Sequence, residues 1–337
     1  MRLWRFSRRN TVAILTLHGT GAAEDGQAWE PLRPQMDPRR LEQWVRFLSK
    51  YYTFVSLDTA VQMLAGKEPL LPNSLVLTFD DGYRNNVTQA WPVLRRLGVP
   101  ACIFVATGHV ERRQPFWFDR LDYVLQHACV ESREFQAGGR TIRVLAGSRE
   151  QLRESYRDLR EAAKVARRNN REMLQELEGI SATLEAETGH KLADIFETDP
   201  WSAVLAWEEI KAAFGDGLIF GSHTVDHVRL AKVDEDMARD QLARSKQMME
   251  AHTNRPCLHL AYPYGSYNGR VAEIARECGY VAGLTTEEGP NRVGAELMTL
   301  RRYALPLQAS ETDLLAHVSG LSAAINRVKK LFLSLLS

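Results

Sequence analysis

LVLTFDDGYRNN, residues 75–86, is an apolar run that ends in two adjacent carboxylates, a glycine and a polar exit. Near-continuous apolar runs of this length suit a strand buried on both faces. Asp-Gly is ordinary turn chemistry after such a strand. The question is whether Asp80 and Asp81 only end the strand or also carry a reaction.

Outward from that strand the chain alternates strand and helix patterns. Strands are expected at TVAILTL (11–17), YTFVSL (52–57), SLVLTF (74–79), PACIFVA (100–106), GLIFGS (217–222), CLHLAYP (257–263) and YVAGLTT (280–286). Helical periodicity lies between them in PRRLEQWVRFLSKY, TQAWPVLRRLG, EDMARDQLARSKQMMEAHT and NGRVAEIARECG. Repeated strand-helix units predict an α/β fold with a parallel sheet wrapped by helices, as a barrel or as an open sheet. No GxGxxG or Walker-type glycine pattern follows any strand, which removes the usual basis for a nucleotide site.

Residues 119–201 break the rhythm. They hold no convincing strand, and their charges recur at helical spacing, so a helical insertion with a solvated face is expected. A substrate lid or self-association surface is the alternative. The C-terminal stretch 311–337 reads as an amphipathic helix, through Leu321, Ile325, Val328, Leu331, Phe332 and Leu335, with Arg327, Lys329 and Lys330 among them. Packing on the core is the first reading of it and contact with a membrane surface the second.

The 337 residues carry a net charge of +1, which argues against a nucleic-acid partner. The four cysteines are widely spaced and suggest neither a disulfide framework nor a structural zinc site. With no apolar run of spanning length and no cleavage-site pattern at the N-terminus, a cytoplasmic protein is expected, in one reading peripheral at the inner membrane surface.

Ligands of parallel α/β folds bind beyond the carboxyl ends of the strands. Polar residues gather there: His18 after the first strand, Asp80 and Asp81 after the third, GSHTVDH (221–227) and AYPYG (261–265) after later ones. His223 and His227 are four apart, so a helical turn would put both imidazoles on one face. Two histidines and an aspartate would leave a divalent ion with open positions, and a second aspartate could take a proton from water.

TFDDGY, SHTVDH and AYPYG, in this order at strand ends, resemble the motifs of the polysaccharide deacetylase family, carbohydrate esterases that remove N-acetyl groups from amino sugars. The resemblance runs from about Val12 to Tyr303 and is closest in motif style to the branch acting on poly-N-acetylglucosamine. It implies an irregular (β/α)7-type barrel, placed here over residues 10–310 and interrupted by the 119–201 insertion. It implies Asp80 as general base, and Asp81, His223 and His227 as ligands of a divalent metal, zinc first, with cobalt, nickel or manganese as alternatives. Tyr264 would supply a backbone N–H to the oxyanion, and His18 is expected to be the general acid. The implied substrate is an N-acetylated carbohydrate in a glycan or glycan precursor. Hydrolysis of a non-sugar amide and a non-catalytic glycan-binding or assembly barrel are the alternatives.

The motif style departs from many relatives in one place, because Ala261 and Tyr262 stand where an arginine commonly orients the catalytic aspartate. Arg301 and Arg302 are read first as surface arginines, with contact to substrate as the alternative. Asn85 and Asn86 are expected to cap the helix after the Asp pair. His109, His127, His190, His252 and His259 are assigned to core or surface, His317 to a helix, and Trp117 and Trp207 to packing, with stacking on a sugar face as the alternative for both tryptophans.

Overall fold

The computed structural model describes residues 10–23, 27, 29–128, 132–145, 147–166 and 169–321. Along the chain run β1 (Thr11–Leu17), α1 (Pro38–Leu48), β2 (Thr53–Phe54), α2 (Leu57–Leu64), β3 (Ser74–Phe79), α3 (Trp91–Arg96), β4 (Ala101–Val105) and α4 (Thr107–Arg112). Next come α5 (Trp117–Ala128), β5 (Arg133–Ala137), β6 (Arg140–Val144), α6 (Arg149–Ala166), α7 (Asn170–Thr188) and α8 (Leu192–Ile195). The remainder is α9 (Trp207–Ala213), β7 (Leu218–Ser222), α10 (Glu235–Thr253), β8 (His259–Ala261), α11 (Gly269–Glu277), β9 (Ala282–Leu284), β10 (Asn291–Arg292), β11 (Tyr303–Ala304) and α12 (Glu311–Val318).

β1 and β3 pair in parallel from Val12 opposite Ser74 to Leu17 opposite Phe79. The sheet continues from β3 through β4, β7 and β8 to β9, all parallel. Its two ends are bridged by one segment. Leu300 pairs with Leu284 of β9, and Tyr303, three residues on, pairs with Leu15 of β1. That connection curls the sheet into an irregular (β/α)7-type barrel, as expected. β10 and β11, two residues each, are too short to show as apolar runs, and no strand is expected there.

Side chains alternate across each strand. Ala13, Leu15, Leu17, Leu75, Leu77, Phe79, Ile103 and Val105 pack beneath α1, α3, α10 and α11. Val12, Ile14, Val76, Cys102, Phe104, Ala261, Leu284 and Leu300 form a second cluster with Leu57, Ala60, Val61 and Leu64 of α2 on the concave side. By this alternation, Val12, Ile14 and Thr16 lead to His18, and Val76 and Thr78 lead to Asp80. The inner face therefore delivers His18 and Asp80 to the same end of the barrel.

The chain between β4 and β7 is not purely helical. β5 and β6 form an antiparallel hairpin beside α5, α6 and α7, although the sequence predicts no strand there. Its alternating charged and apolar residues, REFQA and RTIRV, mimic a solvated helix when read by charge density alone. Of the expected C-terminal helix, α12 is formed, while Ile325, Val328, Leu331, Phe332 and Leu335 lie outside the described residues. No helix among the described residues is long and apolar enough to cross a membrane.

α5 is tied to the loop after β1 through Asp122, which accepts from the Leu32 N–H at 2.9 Å and from the Gln126 amide at 2.7 Å. Burial pushes its carboxyl up to about 6, against the pull of both hydrogen bonds. The unfolded chain ionises this group near 3.8, so Asp122 costs stability as pH rises from about 4 to about 6, with no further loss above. In Asp122→Asn that loss, about 3 kcal/mol, should vanish. Urea unfolding of both proteins at the two ends of that window measures it, and parallel pH curves would show that Asp122 is not the source.

Candidate active site

The site is built from four strand ends. Asp80 and Asp81 follow β3, His223 follows β7, and Tyr262 to Tyr264 follow β8, with His18 after β1. Asp81 would point away from the inner face by simple alternation. A left-handed backbone, φ 75° at Asp81 followed by φ 79° at Gly82, turns it inward. Gly82 also has no room for a side chain, since a Cβ there would lie 3.2 Å from the Val105 backbone.

Asp81, His223 and His227 come together, with their candidate ligand atoms all within 4.8 Å of one another. His227 Nε2 lies 3.3 Å and His223 Nε2 3.6 Å from Asp81 Oδ1. The opposite nitrogens are occupied, His223 Nδ1 at 2.8 Å from the Ala261 carbonyl and His227 Nδ1 at 3.1 Å from the Tyr264 hydroxyl. Such outer partners turn both Nε2 atoms toward the carboxylate. Asp81 Oδ2 is buried without a hydrogen bond. Two converging imidazole nitrogens and an unsatisfied carboxylate oxygen form a donor set suited to a divalent metal.

The histidines do not share a helical turn, contrary to the spacing argument. Residues 223–229 form a loop, and left-handed conformations at Thr224 (φ 65°) and His227 (φ 52°) fold it back on itself. With Asp81 and Tyr264 (φ 58°), four non-glycine residues at this one site occupy a backbone region that L-residues seldom adopt. Strain of about 1–3 kcal/mol per residue persists only where the surroundings impose it.

Asp80 has the partner that the motif comparison found missing. Arg302 donates from Nη1 and Nη2 to its two oxygens, each at 2.7 Å, and from Nε to the Thr285 carbonyl at 2.9 Å. Arg302 is fully buried, so its reading as a surface residue is wrong. Alternation from the inward Leu300 was the available signal, overridden by the general rarity of buried arginine. Burial works to raise Asp80, and the Arg302 charge, the neighbouring His223 and the Arg302 hydrogen bonds together outweigh it, holding the carboxyl below the ordinary aspartate range.

His18 stays open to solvent at the mouth of the barrel. The protein around it lowers its pKa, with the Asp81 charge opposing. Tyr264 lies in the turn after Pro263, and its hydroxyl accepts from Trp117 Nε1 at 3.1 Å. Thus Trp117, read as packing, braces a residue of the site. Arg33 escaped the sequence reading altogether, being one arginine in a loop without periodicity. Its guanidinium lies 3.7 Å from Asp81 and 3.6 Å from the buried Asp119, and 4.5 Å over the Phe118 ring.

Several other expectations fail here or lead elsewhere. Asn85 caps nothing: its Oδ1 accepts from the Thr20 N–H, and its Nδ2 donates to Gln35 and to the Pro200 carbonyl, tying three loops together. Asn86 is buried without side-chain partners. His259 pairs with Asp58 at 2.6 Å, and His317 bonds the Ala304 carbonyl.

Replacing Arg302 by alanine should leave Asp80 buried and unpaired, at a cost of roughly 3–5 kcal/mol. Arg302→Lys should fall between, since an ammonium cannot make the paired contact. Chemical denaturation of both variants reads this directly, and a loss under about 1 kcal/mol in the alanine variant would remove the pair as the anchor.

The sequence model of the family described as Polysaccharide deacetylase matches residues 67–283. The chain is 21% identical to the polysaccharide deacetylase relative YxkH of Bacillus subtilis (strain 168) over 239 residues, 71% of this chain and 53% of that protein. It thus spans about half the length of that curated relative. Among solved structures, Streptococcus pyogenes deacetylase PplD, in complex with acetate, superposes with a TM-score of 0.59 at 19% identity, covering 91% of this chain and 98% of that one. IcaB from Ammonifex degensii gives 0.57 at 18%, covering 93% and 98%. These two share its fold, and with the family match extending over more than half of its length, the chain belongs to the polysaccharide deacetylase family.

Proposed function

We propose that this protein is a metal-dependent hydrolase that removes N-acetyl groups from amino sugars of a glycan or glycan precursor. The observation that carries the reading is the meeting of Asp81, His223 and His227 beside an Asp80 held ionised by Arg302. A divalent ion, zinc in the first instance, would be held by Asp81 and the two Nε2 atoms, and when bound supplies Lewis-acid polarisation at the amide carbonyl.

The chain's own groups do the rest. Asp80, adjacent in sequence to a ligand, is placed to accept the proton of an attacking water. Arg302 keeps that carboxylate ionised and fixes the direction of its lone pairs. The Tyr264 N–H, aimed by its left-handed turn, is assigned to the developing oxyanion. His18, open to the cleft, is assigned to protonation of the departing nitrogen, which as an amide anion is too basic to leave.

Chelation should abolish acetate release from N-acetylated oligosaccharides, and zinc or cobalt should restore it. Asp81→Ala and His227→Ala should also lose bound metal by elemental analysis. Asp80→Asn should keep the metal yet lose about 10²–10⁴ in kcat, and His18→Ala a similar factor. Full activity of Asp80→Asn would refute the assigned base, and a chelator-resistant enzyme would refute the metal.

A further inference from the structure

The face that α6 turns toward the barrel carries charge where a packing helix would be apolar. Leu152, Tyr156, Leu159 and Ala163 are buried, and Arg160 and Lys164 flank them, half-buried. Both lie next to the site. The Arg160 guanidinium sits 4.8 Å from the Tyr156 ring centre, 5.7 Å from Trp117 and 5.9 Å from Phe118. Trp117 bonds the Tyr264 hydroxyl, which bonds His227, and Phe118 contacts the His227 ring directly. Lys164 Nζ lies 5.4 Å over the Tyr264 ring.

These cations are poorly neutralised. Among the described residues Arg160 pairs with no carboxylate, and its Nε is buried without a hydrogen bond. Asp122 acts on it at a distance, but the oxygens of Asp122 serve the Leu32 N–H and the Gln126 amide. Lys164 has one partner, Glu161, at 2.8 Å, and this glutamate is largely exposed. Like charges at i and i+4 destabilise a helix, and the charge of Arg33, itself set against Asp81 and Asp119, also acts on Lys164. Aromatic rings hold the Arg160 head in place while leaving its donors free, an arrangement suited to a bound anion.

We propose that Arg160 and Lys164 form an anion-recognising rim of the cleft, so that the N-acetylated sugar taken here carries a phosphate or carboxylate group. The proposal rests on the N-acetyl hydrolase reading of the site. In this arrangement the neutral acetamido group goes to Asp80 and the Asp81 cluster, and the charged substituent goes to α6. The chain between β4 and β7 then selects substrate as well as packing on the barrel.

The test is ligand-observed NMR on the zinc-loaded full chain, with N-acetylglucosamine, N-acetylglucosamine 1-phosphate and N-acetylmuramic acid as probes. At least one anionic probe should bind roughly tenfold tighter than the neutral sugar, a preference that shrinks with added salt. Whichever of the phosphate and carboxylate arms is tighter identifies the group. Arg160→Gln and Lys164→Gln should each reduce the preference several-fold, and Arg160→Lys, which keeps the charge, should retain part of it. Equal binding of all three probes, no binding of any, or a preference unchanged in both glutamine variants overturns the rim. Acetate release without anionic preference would sink the rim and leave the deacetylase reading standing. Anionic preference without acetate release from any acetylated sugar would do the reverse.

Discussion

An ionised carboxylate at the inner end of a buried strand is stable only with a partner of opposite charge, and in this barrel Asp80 takes Arg302. The guanidinium meets both carboxylate oxygens and a main-chain carbonyl, so its donors are used where water cannot reach. Coulomb attraction and paired hydrogen bonds together offset a desolvation cost that neither would meet alone. The neighbouring groups depend on that arrangement. With Asp80 fixed, the left-handed turn at Asp81 and Gly82 can aim the second carboxylate at the two histidines, because the end of the strand itself does not move.

Much of this was legible in the sequence. Apolar runs gave the parallel strands, and polar residues just beyond them gave Asp80, Asp81, His223, His227 and His18, because a parallel α/β fold exposes that end of its sheet. The order of TFDDGY, SHTVDH and AYPYG gave the family. The local conformations were not legible. His223 and His227 have helical spacing, yet meet across a loop with left-handed residues, which no periodicity encodes. Arg302 was misplaced because a composition rule about arginine was set above the alternation rule that puts it inside with Leu300. Arg33, in a loop, obeyed neither rule. The β5–β6 hairpin was hidden by charge, since a strand exposed to water carries residues that also suit an exposed helix.

The site also shows where the fold concentrates backbone strain. Thr224, His227 and Tyr264 are neither glycine nor asparagine, yet each adopts a left-handed conformation beside the same cluster. Outer contacts hold them there: Gln241 accepts from the Val225 and Asp226 N–H groups, and Trp117 braces Tyr264. Trp117 belongs to α5, outside the strand-helix alternation, so the precision of the loop that carries His223 and His227 depends partly on a segment that the barrel does not need for its topology.

The closing segment from Leu300 to Ala304 has a consequence for biogenesis. It joins the two ends of the sheet and carries Arg302, so the same few residues complete the barrel and charge-match Asp80, across 222 positions of chain. Domains fold largely in the order in which they leave the ribosome. A nascent chain that has emerged with every other group of the site, but not this segment, holds Asp80 without its counter-ion. The candidate site is therefore assembled late in synthesis, when the sheet can close.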